Sequence, residues 1–531
     1  MRRVLVSITW FVILCSSCLA DGVGDSDWAS CLNAPNRACV LDEALWRALL
    51  VGPAAASREL GEVAELQAAA GNLELARRIA QSIPPEQRAR VIALAAIVRA
   101  QAGRGDAAGA EQTLIQAHRV ADAMQDRLTR AEALLSIGQA EADAAMAAEA
   151  TRALSDSVTQ AEGVEIRAAP ACMLMSAPED RLDGVFRVAA EQLAKAGDIP
   201  GAIRAVRLIF YKPHLRTEAL QRIGEIAAGD GRQSEAAAIL RDAVEAARAA
   251  QTPSQHWPSC PQMTFGPDSP ELYAELLGRI AEAQGRIGAA EDAIATLELA
   301  LRAVPDIKDS SLWKAEVSRS FVLSTIAQTQ WTIGLTSQAE VTFQRAAQAV
   351  SDIADPRRHV VALTRLARAQ YDARRVAAVS LFGEAFGSAR ALEDPGERAS
   401  QLLNVAETEV GLGLGSEAGP VLSEALDATR SIPKQSGRVN LLSRIARAQE
   451  NTGHLQEGLS TYAEALDAFE ATDQVGQRKN SLFAVIRAWP GQPQDTRLLA
   501  DSAPRLLRMI DATEARQHPA ALIVIAKALP Q

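Results

Sequence analysis

The strongest constraint on the fold is a phrase that recurs along the chain with one layout. Leu94–Gln101, Leu277–Gln284 and Leu442–Gln449 each begin with leucine, carry isoleucine three positions later and end in glutamine, and a glycine follows four residues later. We call the residue at that glycine position the anchor and number the other positions of a repeat relative to it. The anchors recur at spacings of 34 to 57 residues, most often 40, and they are Gly71, Gly105, Ala145, Gly197, Gly231, Gly288, Gly334, Arg374, Gly413, Gly453 and Pro493. The chain is therefore predicted to be a tandem array of one small structural unit.

Each unit has the pattern of two helices joined by a tight turn. Position −11 is a large apolar residue, position −8 is apolar in every unit, position −7 is usually Ala or Gly, and position +5 is usually Ala. Large apolar residues three apart followed by a small one form a helical stripe that a second helix can approach closely. Glycine at the anchor ends the first helix because it takes positive φ without strain. Such a hairpin cannot bury its apolar surface alone, so neighbouring hairpins are expected to stack.

These positions resemble the pattern of the tetratricopeptide repeat (TPR) family. The resemblance implies an all-α, right-handed α-solenoid of about eleven helix-turn-helix repeats over residues 57–503, followed by capping helices over 504–531. The chain departs from the family pattern because Gln usually replaces Tyr at position −4 and because 40 residues is the preferred spacing instead of 34. Prolines such as Pro356 and Pro395 suit a longer second helix that stops before them. A HEAT-like solenoid, whose repeats are also near 40 residues, is the alternative fold.

Residues 1–20 have the layout of a secretory signal peptide. Paired arginines precede an apolar run that ends at Leu14, and small residues lead to a cleavage point expected after Ala20. A lipoprotein signal ending at Cys18 is the alternative, although its aliphatic residue lies one position too far upstream. No later segment approaches the roughly 20 apolar residues that a bilayer crossing needs. We therefore expect an exported protein, periplasmic or secreted, without a transmembrane segment.

Export would place the remaining cysteines in an oxidising compartment, where disulfides persist. Cys31 and Cys39 bracket a short loop rich in Asn and Pro inside an N-terminal cap over residues 21–56. Such a loop returns the chain on itself, so we expect these two cysteines to pair.

Two insertions, near residues 163–180 and 251–270, contain Cys172 and Cys260 respectively. Both precede a first helix and should emerge on the same edge of the array, so a bridge between these cysteines is expected there. Four cysteines permit three connectivities, and the sequence leaves the pairing open.

The composition and the motifs argue against catalysis and against nucleic acid. Lys and Arg number 55 against 65 Asp and Glu, and a net charge of −10 repels phosphate backbones. The six histidines are scattered without metal-ligand spacing, and Gly411–Gly415 is a turn between helices and not a phosphate loop. We therefore expect no metal site, no cofactor and no enzymatic activity.

The resemblance implies that first-helix positions, including −6 and −3, line a concave binding face. Position −6 is charged or Gln in every unit, acidic in the middle of the chain and mostly basic in the last third. Aromatic residues and arginine often anchor interfaces. A solvated helix face with aromatics packed between repeats is the alternative. The candidate binding residues are Glu191, Glu225, Glu282, Gln328, Trp331, Arg368, Tyr371, Arg447 and Arg487.

The function expected from these features is an exported scaffold that holds a protein or peptide in its groove. The segment would lie along Gln328 to Arg487 with its acidic groups toward the arginines. A small-ligand binder or enzyme that uses the Cys172 and Cys260 loops is one alternative. A structural protein that self-associates through its apolar final helix is the other.

Overall fold

The fold consists of helices joined in consecutive pairs, with one short β-hairpin. In the computed structural model of the chain, the residues described are 25–166, 178–251, 256–257, 260–264, 269–309, 314–433, 435–471, 497–511 and 518–529. Within these ranges no helix is both long and apolar enough to span a membrane. The all-helical repeat architecture confirms the predicted fold class.

The first half of the chain contains twelve helices in the described ranges. They are α1 (Asp25–Asn33), α2 (Arg37–Val51), α3 (Ser57–Ala70), α4 (Leu73–Ser82), α5 (Arg88–Ala102), α6 (Ala107–Asp122), α7 (Arg127–Asp143), α8 (Ala147–Glu162), α9 (Pro178–Lys195), α10 (Ile199–Arg207), α11 (Pro213–Gly229) and α12 (Gln233–Ala249). The strands β1 (His256–Trp257) and β2 (Cys260–Thr264) come next as an antiparallel pair inside the second insertion.

The second half begins after this hairpin. Its helices are α13 (Pro270–Arg286), α14 (Ala290–Ala303), α15 (Ala315–Thr332), α16 (Thr336–Ser351), α17 (Pro356–Gln370), α18 (Arg375–Arg390), α19 (Pro395–Gly411), α20 (Gly415–Arg430), α21 (Gln435–Asn451), α22 (Leu455–Glu470), α23 (Arg497–Asp511) and α24 (His518–Ala528). From α3 to α22 they form ten of the eleven predicted hairpins, and the anchor Pro493 and the first helix of the eleventh unit lie outside the described residues.

The repeat positions predicted to be interior are buried in equivalent places. Leu94, Leu277 and Leu442 at position −11 are 0%, 0% and 2% exposed. Position −8 is fully buried in every described repeat, from Val63 to Ile445. The small residues at position +5 are also buried, and they are Ala76, Ala110, Ala150, Ala202, Ala236, Ala293, Ala339 and Ala418. The first and second helices of one hairpin pack closely, and first helices of successive repeats pack side by side, for example α13 with α15 and α15 with α17.

The turn at the anchor has the same backbone geometry in nearly every repeat. All eight described glycine anchors have positive φ, for example +75° at Gly413 and +86° at Gly453. The residue after the anchor donates its N–H to the carbonyl of position −4, as Leu414 does to Glu409 at 2.9 Å. This bond closes the helix end in the way of a Schellman motif.

Two of the described anchors are not glycine, and their backbone conformations differ. Ala145 keeps the left-handed turn at φ +61°, which is uncommon for a residue with a Cβ. Arg374 does not, because its φ is −147°. In that repeat Ala378 is fully buried, one residue before the position +5 that Val379 occupies.

Arginine side chains of first helices donate hydrogen bonds to the preceding hairpin. The side chain of Arg398 donates to the carbonyl of Leu392 at 2.8 Å, and Arg438 donates to the carbonyl of Ile432 at 2.6 Å. Both accepting residues lie just after a second helix. The two contacts are 40 residues apart, so they repeat with the preferred period of the sequence.

The chain divides into two compact units. Unit 1 comprises Met1–Gln125, Asp143–Ala145 and Ala425–Gln531, and unit 2 comprises Asp126–Ala142 and Met146–Glu424.

In unit 1 the two ends of the chain pack against each other. Helix α24 packs on α2 and also contacts α3, and Lys527 pairs with Glu62 at 2.9 Å. Leu522, Ile523 and Ile525 of α24 are fully buried or nearly so. The apolar residues that suggested self-association are thus covered within the same chain. That prediction is wrong because the last helix finds its packing partner at the N-terminus.

Cys31 and Cys39 lie close together, with their Cα atoms 5.9 Å apart and their sulfur atoms 1.94 Å apart. The Cα separation falls within the range that a disulfide can bridge. Residues 1–24, which include the predicted signal peptide and Cys18, lie outside the described residues, as does Cys172. Only the backbone of Cys260, in β2, is described.

Candidate functional site

A polar cavity of about 750 Å³ lies in unit 2, between the first helices of three successive repeats. Helices α15, α17 and α19 line it, and we call it the polar groove. Its charged and amide-bearing residues fall on two repeat positions. Position −9 contributes Thr325, Arg365 and Asn404, and position −6 contributes Gln328, Arg368 and Glu407.

These side chains converge because of the helical period. Positions −13, −9, −6 and −2 are spaced by four, three and four residues, which keeps them on one face of an α-helix. Val361 at −13 and Gly411 at −2 also line the groove. Because the apolar residues at positions −11 and −8 are buried alike in α15, α17 and α19, the same positions of neighbouring repeats meet.

The predicted residues at position −3 do not line the polar groove. Trp331 is half-buried, and the ring of Tyr371 lies 5.3 Å from the Arg375 guanidinium. Position −3 lies about 60° around the helix from position −6, on the side away from −9 and −2. The alternative for these aromatics, packing between repeats, stays a prediction.

The three predicted acidic residues are in unit 2 but pair with arginines and do not line the polar groove. Glu191 pairs with Arg187 at 2.9 Å on the same helix. Glu225 pairs with Arg222 at 2.8 Å, and Arg286 pairs with Glu282. The sequence therefore correctly located an acidic stretch, but its charge is balanced locally.

The remaining predicted arginines are not part of this site. Arg447 belongs to unit 1, and Arg487 lies outside the described residues. The polar groove thus contains Gln328 and Arg368 from the predicted binding set.

Sequence reasoning missed position −9. That position is polar or charged in most repeats, and the exceptions are Ala96, Val188 and Ala484. Polar residues at both −9 and −6 lie on adjacent parts of one helix face, and this pattern indicates a single solvent-facing surface. The two positions together would have identified Thr325, Arg365 and Asn404.

The two arginines of the polar groove differ in their surroundings. Arg365 pairs with Glu275 at 3.0 Å, and its guanidinium lies 4.4 Å from the ring centre of Phe321. Arg368 is exposed, and its guanidinium makes no ion pair or hydrogen bond with any residue in the described ranges. Within that part of the chain, one positive charge therefore faces the groove without a side-chain partner.

The hydroxyl groups of the groove point their hydrogens away from it. Ser324, Thr325, Thr364 and Thr408 each donate to the carbonyl four residues earlier in their own helix, at distances of 2.7 to 3.2 Å. Their oxygen lone pairs remain available as acceptors. The lining thus offers these acceptor oxygens and the amide of Gln328 beside the guanidinium of Arg368.

Two buried carboxyl groups in unit 2 have raised pKa values. Burial raises the pKa of Asp183 to about 6, although this side chain accepts the backbone N–H groups of Phe210 and Lys212 at 3.1 and 2.6 Å. Burial, with a smaller effect from the charge of Glu417, raises the pKa of Glu409 to about 7. Asp183 fixes the loop after α10, and Glu409 lies at position −4 under a hairpin turn. Neither residue lines the polar groove.

The described residues contain no group of three His, Cys, Asp or Glu side chains placed to hold a metal ion. The alternative site at the insertion loops involves Cys172 and the side chains of His256 and Trp257, which lie outside the described part of the chain.

No protein-family model matches the chain, and no curated protein matches it. Among solved structures, the apo form of the quorum sensor NprR from B. thuringiensis is similar at 12% identity, covering 72% of this chain and 88% of that one, with a TM-score of 0.24. The Rap protein complexed with competence and sporulation factor is similar at 14% identity, covering 72% and 98%, with a TM-score of 0.24. A human IFIT1 dimer with m7Gppp-AAAA is similar at 12% identity, covering 82% and 95%, with a TM-score of 0.23. Values this low assign no family, so the likeness to TPR proteins stays a resemblance.

The raised pKa of Glu409 predicts a pH-dependent stability that one substitution removes. Between pH 4.5 and about 7 the folded chain keeps this carboxyl protonated and the unfolded chain does not, so stability falls as pH rises through this window. Glu409→Gln installs the amide that Gln370 and Gln449 provide at position −4 of the neighbouring repeats. We expect the variant to match the wild type near pH 4.5 and to be more stable by about 3 kcal/mol at pH 8 in urea unfolding.

The matched control is Glu393→Gln, which changes an exposed carboxylate and should leave the pH profile of stability unchanged. Parallel profiles for the wild type and Glu409→Gln at every pH would contradict the assignment.

Proposed function

We propose that the chain is a binding scaffold that holds an extended segment of a partner polypeptide in the polar groove of unit 2. The observation that carries the proposal is the exposed Arg368, which lacks a partner in the described ranges and lies among hydrogen-bond acceptors. In this proposal an acidic group of the segment binds Arg368. The chain acts as a binding protein without catalysis or a cofactor, and it is a long-repeat relative of the TPR family.

The hydrogen-bonding character of the lining favours a polypeptide. An extended backbone presents N–H donors at regular intervals, and the oxygens of Ser324, Thr325, Thr364 and Thr408 are acceptors. Three first helices packed about 10 Å apart cover about 20 Å, which is the length of about six extended residues. The groove therefore suits a short linear segment.

Electrostatics favours a segment with a single acidic group over a polyanion. Arg365 is paired with Glu275, so the two arginines of the lining do not act as a doubly charged site for phosphate groups. The whole chain carries a net charge of −10, which repels phosphate backbones. These features argue against a nucleic-acid ligand at this site.

We further propose that the protein is exported by its first twenty residues and that the Cys31–Cys39 disulfide forms in the oxidising compartment. The charge and apolar layout of residues 1–20 and the closeness of the two cysteines support this proposal. N-terminal sequencing of the protein recovered outside the cytoplasm should begin at Asp21. A protein recovered from the cytoplasm that retains Met1 would contradict export, and a mature chain that begins at Cys18 would instead indicate the lipoprotein route.

The peptide-binding proposal is tested by selecting binders from a random hexapeptide library displayed on phage. We expect selected sequences to carry an acidic residue, and Arg368→Ala to weaken their binding about tenfold in fluorescence anisotropy, because one charge-assisted contact is lost. Helicity measured by circular dichroism should not change, since Arg368 is exposed and unpartnered in the described ranges.

The matched control is Arg345→Ala. Arg345 is an exposed arginine of α16, and its side chain also lacks an ion pair or hydrogen bond in the described ranges. It should change peptide affinity less than twofold. Equal losses in both variants, or selected peptides without acidic residues, would refute the proposal.

A further inference from the structure

We infer that Glu275 is a specificity-determining residue of the polar groove, which it restricts to segments that present one acidic group instead of two. This inference rests on the proposed function. It concerns a residue outside the lining that acts through Arg365.

The ion pair between Arg365 and Glu275 joins two helices that are not consecutive first helices. Arg365 lies in α17 and Glu275 in α13, and the two side chains meet at 3.0 Å. The first helix between them is α15, and its Phe321 ring lies under the guanidinium at 4.4 Å. The arginine is thus held by a carboxylate and by an aromatic face together.

A second ion pair in unit 2 joins the same two repeat positions as the Arg365–Glu275 pair. Arg279 pairs with Glu218 at 2.9 Å, again from position −9 to position −13, but between consecutive first helices. Helix α15 has Thr325 at −9 and Phe321 at −13, so it offers neither charge. Arg365 therefore reaches one repeat further, to Glu275.

The Arg365–Glu275 pair affects how many positive charges are available to a ligand in the polar groove. Arg365 and Arg368 lie three residues apart on one helix and line the same cavity. With Glu275 in place, Arg368 is the groove arginine whose side chain has no partner among the described residues, so a second ligand carboxylate must compete with Glu275 for Arg365. Without Glu275, two neighbouring arginines would face the ligand. Selection against the wrong ligand by a competing charge is a common source of specificity.

The solvent exposure of the Arg365–Glu275 ion pair limits how much its loss can change the affinity for a ligand. The side chains of Arg365 and Glu275 are 40% and 32% exposed, and partly exposed ion pairs are weak. We therefore expect a change of about fivefold in affinity for a doubly acidic ligand, and little change for a singly acidic one.

The test compares two acetylated and amidated hexapeptides labelled with fluorescein, Ser-Gly-Ser-Asp-Ser-Gly and Ser-Asp-Ser-Asp-Ser-Gly. Alternate residues of an extended peptide point to the same side about 7 Å apart, which suits arginines one helical turn apart. Glu275→Gln should tighten binding of the second peptide about fivefold and change binding of the first less than twofold. Replacing Arg365 as well, in Glu275→Gln/Arg365→Gln, should abolish the gain.

The matched control is Glu218→Gln, which breaks the ion pair of similar exposure outside the groove and should leave both affinities unchanged. The inference is overturned if the first peptide still binds through Arg368 but Glu275→Gln leaves both affinities unchanged. It is also overturned if the substitution changes both affinities equally. If neither peptide binds the wild type through Arg368, the proposed function fails and the inference falls with it.

Discussion

The left-handed backbone at the hairpin turns is the constraint on which the rest of the structure depends. It lets the N–H of the next residue reach back to the carbonyl of position −4, and the bond recurs at 2.8 to 3.0 Å in nearly every described repeat. Where it forms, this bond ends the first helix at the same point relative to its buried face. The buried residues at positions −11 and −8 keep α15, α17 and α19 in register, so their positions −9 and −6 fall on one surface and form the polar groove.

The repeat at Arg374 shows the effect of losing this constraint. Its anchor does not adopt the left-handed conformation, and the small buried residue of the second helix is Ala378 instead of the residue at position +5. The first helix of this repeat is nevertheless in register, because Leu363 and Leu366 are buried at positions −11 and −8. The apolar stripe therefore keeps Arg365 and Arg368 in the groove, and the altered turn shifts only the register of the second helix, α18.

Local periodicity in the sequence was sufficient to predict the interior and part of the site. The large residues at −11, the apolar residues at −8 and the alanines at +5 are all short-range signals, and they are buried as expected. Contacts between distant residues could not be predicted in this way. The Arg365–Glu275 pair joins residues 90 positions apart, and Lys527 pairs with Glu62 across 465 positions. Both depend on which repeats become neighbours, and no single repeat carries that information. The resemblance implied a binding role for position −3, but Trp331 and Tyr371 do not line the polar groove, because position −3 lies around the helix from −6 on the side away from −9.

The most direct measurement compares two glycine substitutions by urea unfolding, because the central claim is that the turn needs a left-handed backbone and not merely space. Gly413 has φ +75°, and Gly383 lies within helix α18, while an added Cβ would meet no atom within 4 Å at either position. Gly413→Ala should lower the free energy of unfolding by about 1 to 2 kcal/mol, since a left-handed residue with a Cβ is strained. Gly383→Ala should leave it unchanged or raise it by up to about 1 kcal/mol, since alanine favours helix. Equal effects of the two substitutions would contradict the account.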